Sequence, residues 1–333
     1  MGKWLSFLQI GIMVFAFILG TIVTSRLMPQ PTPRQEVALT RFTFTEYHMG
    51  VDARIVVYAP NRDAAERACT AAFNRIAELD AIMSDYRADS ELMLLCKKAG
   101  GAPVPVSADL FKVLQTATIV SRRSKGAFDV TVGPLVALWR TARKTGLLPN
   151  PRDIDTARKL VGWKKVKLND RSRTVQLTTP GMKLDLGGIA KGYAIDEAQV
   201  FLKRNGINRA LVEMGGDISV SGPPPDSTGW TIRIPNAGDD NGPRDLQFSN
   251  QAISTSGDTE QFVVIGGTRY SHVIDPRTGQ AVTNRIQATV IAKEGLISDP
   301  LSKLLALLSK EAGSKVLKDY PGTKYYLRVA QAP

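Results

Sequence analysis

Asp185-Leu186-Gly187-Gly188-Ile189-Ala190-Lys191-Gly192-Tyr193 is the stretch on which the reading of this chain turns. The run before it, Met182 to Leu186, reads as a strand, and Ala194 to Asn205 reads as a helix closed by Gly206. Two adjacent glycines between them let a backbone approach a ligand with no side chain in the way. The N–H groups at the start of the following helix suit an anion, and Lys191 adds a full positive charge beside them. Asp185, at the strand end, is placed to hold a ligand donor or a metal. The stretch is a candidate phosphate cradle, although it is neither GxxxxGK(S/T) nor GxGxxG. The competing reading is a tight connection from strand to helix with no ligand at all.

Working outward, the flanks alternate between strand and helix patterns. Arg41–Tyr47 and Ala53–Ala59 read as two strands joined through His48-Met49-Gly50. Asn61 caps a helix whose stripe runs Ala65, Ala68, Ala72, Ile76, Leu79, Met83, and Ser107 caps a second with Leu110, Val113, Leu114, Ala117 and Val120 on one side. The loop from Tyr86 to Ser90 carries Arg87 and Asp89. In Gly126–Pro134, Phe128 beside Asp129 either stacks on and hydrogen-bonds a flat ring or plugs the core. Pro151 opens a helix capped by Asn150 that runs to Gly162, and Lys164–Leu168 with Thr174–Thr178 form a hairpin. Beyond the central stretch, Arg209–Val220 reads as one strand interrupted by Gly215-Gly216, which suggests a bulge or a close backbone approach. Strands follow at Trp230–Ile234, Leu246–Ser254, Gln261–Ile265, Arg269–Ile274 and Gln287–Ala292. A leucine-rich helix opens at Ile297-Ser298-Asp299-Pro300, and Tyr325–Val329 closes the chain as a strand. The mixture predicts an α+β fold of mainly antiparallel sheets with packed helices.

Composition narrows the partners. The 333 residues carry 43 Lys+Arg against 31 Asp+Glu, a net +12 that favours anionic ligands or an acidic membrane face. The charge is scattered, with no basic helix studded with aromatics, so nucleic acid is not expected. Two cysteines make neither a disulfide scaffold nor a zinc site. Cys69 falls in an apolar helical pattern, while Cys96 is left open between pairing and a free thiol. Two histidines, His48 and His272, exclude a His-rich metal centre.

No charged residue occurs from Trp4 to Ser25, a length close to the roughly 20 residues that span a bilayer core. Met1 and Lys3 precede it with positive charge, as for a segment entering from the cytoplasmic side. An uncleaved anchor is favoured over a signal peptide, because the apolar region is long and no A-x-A site follows. The expected organisation is an anchor over 1–27, a Pro-rich spacer over 28–39 and a body over 40–333, the body lying outside the inner membrane on the periplasmic side.

Taken together, Met49-Gly50, Met83-Ser84-x-Tyr86 with Ser90-Glu91-Leu92, Gly126–Thr131, Asp185–Tyr193, Ala210–Asp217, Ser256-Gly257-Asp258 and His272-x-Ile274-Asp275-Pro276-x-Thr278-Gly279 closely resemble the FAD:protein FMN transferases, the ApbE family. The resemblance covers about residues 45–310. It implies an enzyme that binds FAD as substrate and, with Mg²⁺, transfers the FMN half to a threonine or serine of an acceptor flavoprotein, releasing AMP. The pattern places Met49, Tyr86, Ala127, Phe128, Asp129, Asp185, Lys191 and Ile274 around the flavin nucleotide.

A hydroxyl nucleophile wants a general base. His272 is the natural choice, since imidazole titrates near neutral pH, and Asp275-Pro276 is a rigid turn that can fix its loop. His48 reads as an ordinary hydrogen-bonded residue. For the metal, the resemblance implies an Asp-x-x-x-Thr turn at the start of the late helix and a carbonyl from the glycine turn. Asp299 and Gly188 match, but Lys303 occupies the threonine position, and an ammonium donates only. Either Ser302 supplies the missing oxygen, or Lys303 pairs with Asp299 and stands in for the cation. Glu213 also departs, at a position where asparagine is common. Two other activities are compatible with these residues: a non-catalytic FAD-binding protein, and an FAD pyrophosphatase in which water replaces the acceptor.

Overall fold

The computed structural model describes residues 38–235, 244–257, 262–284 and 286–329. The expected anchor, most of the spacer and Asp258 lie outside the described residues. Among the described residues no helix is long and apolar enough to cross a membrane. The chain runs β1 (Thr40–His48), β2 (Val51–Ala59), α1 (Arg62–Met83), α2 (Glu91–Lys97), β3 (Val104–Pro105), α3 (Ala108–Arg123), α4 (Gly133–Thr145) and α5 (Pro151–Arg158). Then come β4 (Val166–Asn169), β5 (Thr174–Leu177), α6 (Ala190–Arg204), β6 (Ala210–Met214), β7 (Asp217–Val220), β8 (Trp230–Ile234), β9 (Arg244–Phe248) and β10 (Gln251–Ser256). The last elements are β11 (Phe262–Ile265), β12 (Thr268–Ser271), β13 (Ile286–Ala292), α7 (Gly295–Leu307), α8 (Lys310–Leu317) and β14 (Lys324–Val329).

Seven strands form the central sheet in the order β1-β2-β6-β7-β10-β13-β14, every neighbouring pair antiparallel. Helices α1, α6 and α7 cover one face. Their stripes are buried as the helical spacing predicts, Ala65, Ala68, Ala72, Ile76, Leu79 and Met83 on α1 among them, and each large aliphatic so buried contributes about 1.5–3 kcal/mol. The opposite face packs Val56, Leu211, Val220, Ile253 and Ile291 against Trp230, Ile232 and Phe248 of the β8–β9 hairpin.

Four strand expectations change, the first being Arg269–Ile274, whose strand ends at Ser271 and leaves His272 and Ile274 in the loop that follows. Met182, Leu184 and Leu186 are buried in alternation, yet this run joins no sheet. Its N–H groups go elsewhere, Leu184 to the Cys96 sulfur at 3.2 Å and Asp185 to the Val130 carbonyl at 2.8 Å. Arg209–Val220 is not one interrupted strand but a hairpin. Gly215 and Gly216 take φ of 54° and 88°, and two successive positive φ values reverse the chain. The Leu246–Ser254 run likewise divides at Asn250 (φ 53°) into β9 and β10, which belong to different sheets. Both cysteines are free and buried.

Candidate active site

The β1–β2 turn, Met49-Gly50, repeats the geometry of Gly215-Gly216, with φ of 50° and 78°. Because β2 pairs with β6 in the register Ala53↔Met214, the two turns lie side by side at one end of the sheet. That end, with Thr255 and Ser256 at the end of β10 and Gly257 after it, forms the floor of a cavity of about 910 Å³. Its walls are the end of α1, residues 84–87 and 127–132, the glycine stretch, His272–Pro276 and Lys303. Every residue expected around the flavin nucleotide, Met49, Tyr86, Ala127, Phe128, Asp129, Asp185, Lys191 and Ile274, lines this one cavity, and so do Gly188 and His272.

The cradle is built differently from its expected form. Helix α6 begins at Ala190, so Lys191 lies within its first turn. The N–H groups of Ile189 and Ala190 both go to the Leu186 carbonyl, at 2.9 and 2.8 Å. That of Gly187 goes to Asp185 Oδ1 at 2.9 Å, and that of Gly192 to Asp299 Oδ2 at 3.0 Å. Positive charge at this turn therefore comes chiefly from side chains. Lys191 Nζ lies 3.0 Å from Asp217 Oδ2, a carboxylate that is 1% exposed. Burial opposes its charge, but Asp217 and then Asp299 more than compensate, and the ammonium is held above its ordinary range.

Gly188 has little room for a side chain. A Cβ on Gly188 would stand 3.3 Å from the Phe128 ring and 3.8 Å from the Lys303 stem, so the turn passes between them. Phe128 both plugs the core and walls the cavity. Asp129 does not offer its carboxylate to a ring: Oδ1 accepts from the Thr131 N–H and hydroxyl at 2.9 and 2.7 Å, and Oδ2 from the Trp163 N–H at 2.7 Å. Burial pushes its pKa up despite these bonds.

On the far wall the Arg140 guanidinium reaches Asp85 at 2.5 Å and Asp185 at 3.2 Å, with the exposed Tyr86 ring over it at 4.3 Å. Burial and the neighbouring Asp85 raise the pKa of Asp185, with Arg140 pulling the other way. Arg143 lines the same wall, its pKa lowered by burial and by Arg140. The sequence reading missed both arginines because it missed α4. Pro134 in the first turn and the spacing of Leu135, Trp139 and Ala142 were the available signals.

His272 follows β12 and opens a loop that is tied down throughout. Ile274 bridges to Ala281, the Gly279 N–H bonds the Asp275 carbonyl at 2.8 Å, and Asp275 Oδ1 accepts from the Arg277 N–H at 2.9 Å. Trp139 Nε1 donates to the Gly279 carbonyl at 2.9 Å. His48 lies apart from the cavity lining, bonded to Glu46 at 2.9 Å and stacked on Phe73.

Of the expected metal ligands, Asp299 and Ser302 already have bonded partners. Asp299 is fully buried; Lys303 Nζ sits 2.5 Å from Oδ1 while Gly192 holds Oδ2. Ser302 donates to the Asp299 carbonyl at 2.8 Å and shares a bond with the Ser256 hydroxyl at 2.6 Å; fully buried and outside the cavity lining, it does not stand in for threonine. Burial would raise the pKa of Asp299, yet Lys191 and Lys303 hold it below the usual carboxylate range. Among the described residues no group of three His, Cys, Asp or Glu could hold a metal ion. A dication about 4 Å from one ammonium would meet a repulsion of about 8 kcal/mol at an effective dielectric of 20. This donor set does not fit Mg²⁺.

The ApbE family model matches residues 49–327. An FAD:protein FMN transferase of Klebsiella pneumoniae is 31% identical over 280 residues, covering 83% of this chain and 85% of that protein. One from Vibrio cholerae is 32% identical over 246 residues, 72% of this chain and 73% of the relative. The crystal structure of Pseudomonas stutzeri flavinyl transferase ApbE, apo form, superposes with a TM-score of 0.78 at 28% identity, covering 88% of this chain and 92% of that one. The flavin transferase ApbE from Vibrio cholerae gives 0.77 at 30% identity, with 88% and 94% covered.

Proposed function

This chain belongs to the ApbE family, and from that premise we infer that it is an FAD:protein FMN transferase acting on an acceptor flavoprotein. The reading rests on one observation: the glycine turn, Lys191, Lys303 and His272 all face a single cavity at the end of the sheet. In the reaction, the acceptor hydroxyl oxygen attacks the phosphorus that carries riboflavin. The new P–O bond forms as the P–O bond to AMP breaks, and AMP leaves with the electron pair. His272 takes the hydroxyl proton. Lys191 screens the diphosphate so that an oxygen nucleophile can approach. Met49, Tyr86, Ala127, Phe128 and Ile274 bound the flavin, and Arg140 orients Asp185. No step is assigned to Mg²⁺, because the ligand set does not suit it.

The body is proposed to work on the periplasmic side of the inner membrane. The uncharged run from Trp4 to Ser25 behind Lys3 supports this placement.

Mass spectrometry of an acceptor protein incubated with the full chain and FAD tests the activity. The expected result is an acceptor carrying one phosphoester-linked FMN, with AMP formed in equal amount. AMP and free FMN appearing without any acceptor would instead identify a pyrophosphatase.

A further inference from the structure

The place where the resemblance implies a dication holds a fixed ammonium instead. Lys303 lies four residues after Asp299 on α7, and the two side chains meet on one helix face at 2.5 Å. The aliphatic stem of Lys303 lies against the glycine turn, so its ammonium stays at the cavity wall. An ammonium has three donors, and Asp299 takes one. Lys191, on the neighbouring helix, lies against Asp217. The two helices are locked by the contact of Gly192 with Gly295 and by the bond from the Gly192 N–H to Asp299. Two cations on rigid elements are thus set beside the same turn, an arrangement suited to charge that must be screened without reorganisation.

We propose that the Lys303 ammonium has replaced the divalent cation, and that with Lys191 it lets this site bind the diphosphate of FAD with no metal ion. The proposal rests on the flavin-transferase reading and changes what that chemistry requires. The carboxylates of Asp299 and Asp217 serve here as anchors for the two lysines rather than as metal ligands.

Two titrations of the purified full chain test this. The first contains no flavin and follows free Mn²⁺ by electron paramagnetic resonance. The wild-type chain is expected to show no Mn²⁺ site tighter than about 1 mM, and Lys303→Thr, which restores a hydroxyl, is expected to bind at least about tenfold more tightly. The second follows quenching of FAD fluorescence in EDTA and in Mg²⁺. Wild-type affinity is expected to agree within about twofold between the two buffers, whereas Lys303→Thr loses about tenfold in EDTA and regains it in Mg²⁺. Lys303→Met, with neither charge nor oxygen, is expected to lose affinity in both buffers.

Micromolar Mn²⁺ binding by the wild type, or FAD affinity that rises about tenfold with Mg²⁺, overturns the proposal. Those wild-type arms remain decisive even where a variant fails to fold. If no FAD is taken up in either buffer, the flavin reading itself fails, and the Mn²⁺ titration still decides whether the ammonium has displaced the metal.

Discussion

Gly192 of α6 and Gly295 at the start of α7 touch backbone to backbone: a Cβ on Gly192 would fall 2.1 Å from the Gly295 carbonyl oxygen and 2.7 Å from the Asp299 Cβ. The two helices that carry Lys191 and Lys303 therefore cross at a point where neither has room for a side chain. That crossing sets the spacing of both ammoniums.

Gly192→Ala is accordingly expected to destabilise the fold by about 3 kcal/mol, since rigid backbone must move to admit the methyl group. Urea denaturation measures it. An unchanged midpoint would mean that the helices do not meet here.

His272→Ala is expected to keep FAD affinity within about twofold while transfer slows by about 10²–10⁴-fold, the usual worth of a positioned base. Fluorescence titration and acceptor flavinylation separate the two quantities. Loss of FAD binding along with activity would contradict the assigned role.

Arg140→Met removes the cation between Asp85 and Asp185. Two carboxylates left facing each other repel an anionic ligand, so FAD affinity should fall about tenfold near neutral pH. The pKa of Asp185 is already raised by burial and by Asp85, and the proton it gains on acidification relieves that repulsion. The variant is therefore expected to regain affinity as pH falls. A deficit independent of pH would show that Arg140 acts by direct contact alone.

Asp109 gives a test of acid stability away from the cavity. Arg75 lies 2.5 Å from it and 2.8 Å from Glu197, and the Tyr193 hydroxyl donates to it at 2.6 Å. Burial pushes its pKa up, but the bonds from Arg75 and Tyr193 outweigh that and hold it below its ordinary 3.8. A depressed carboxyl stabilises the fold above 3.8, and this contribution fades as pH falls through the folded value. Asp109→Asn should cost about 2 kcal/mol at neutral pH, and its deficit should narrow below about pH 4. Parallel stability–pH curves for the two proteins would refute this.

Much of the fold was legible locally. The stripe from Ala65 to Met83, the caps Asn61 and Ser107, and the alternation in β1 and β2 follow from periodicity and hydrogen-bonding chemistry that act within a few residues. The errors occurred where local pattern and long-range pairing part company. Met182–Leu186 alternates like a strand because Met182, Leu184 and Leu186 enter the core, but its N–H groups bond a cysteine sulfur and a loop carbonyl. Leu246–Ser254 reads as one strand because apolar residues continue on both sides of Ser249-Asn250, whose turn chemistry was the one local signal for the passage from one sheet to another.

The site divides in the same way. Its motifs, from Met49-Gly50 to His272, stand in the sequence, and so does the replacement of the expected threonine by Lys303, since residue type alone decides whether a position can donate, accept or ligate. Tertiary structure alone decided what each donor is spent on. Packing of α7 against α6 and β10 turns Ser302 toward Ser256 and sets Asp299 between Lys303 and the Gly192 N–H. The folded chain also brings Arg140 from α4 between Asp85 and Asp185, residues far apart along the chain. Hydrogen bonds and ion pairs act over a few ångströms of space regardless of sequence separation, so only the folded arrangement determines which partners meet.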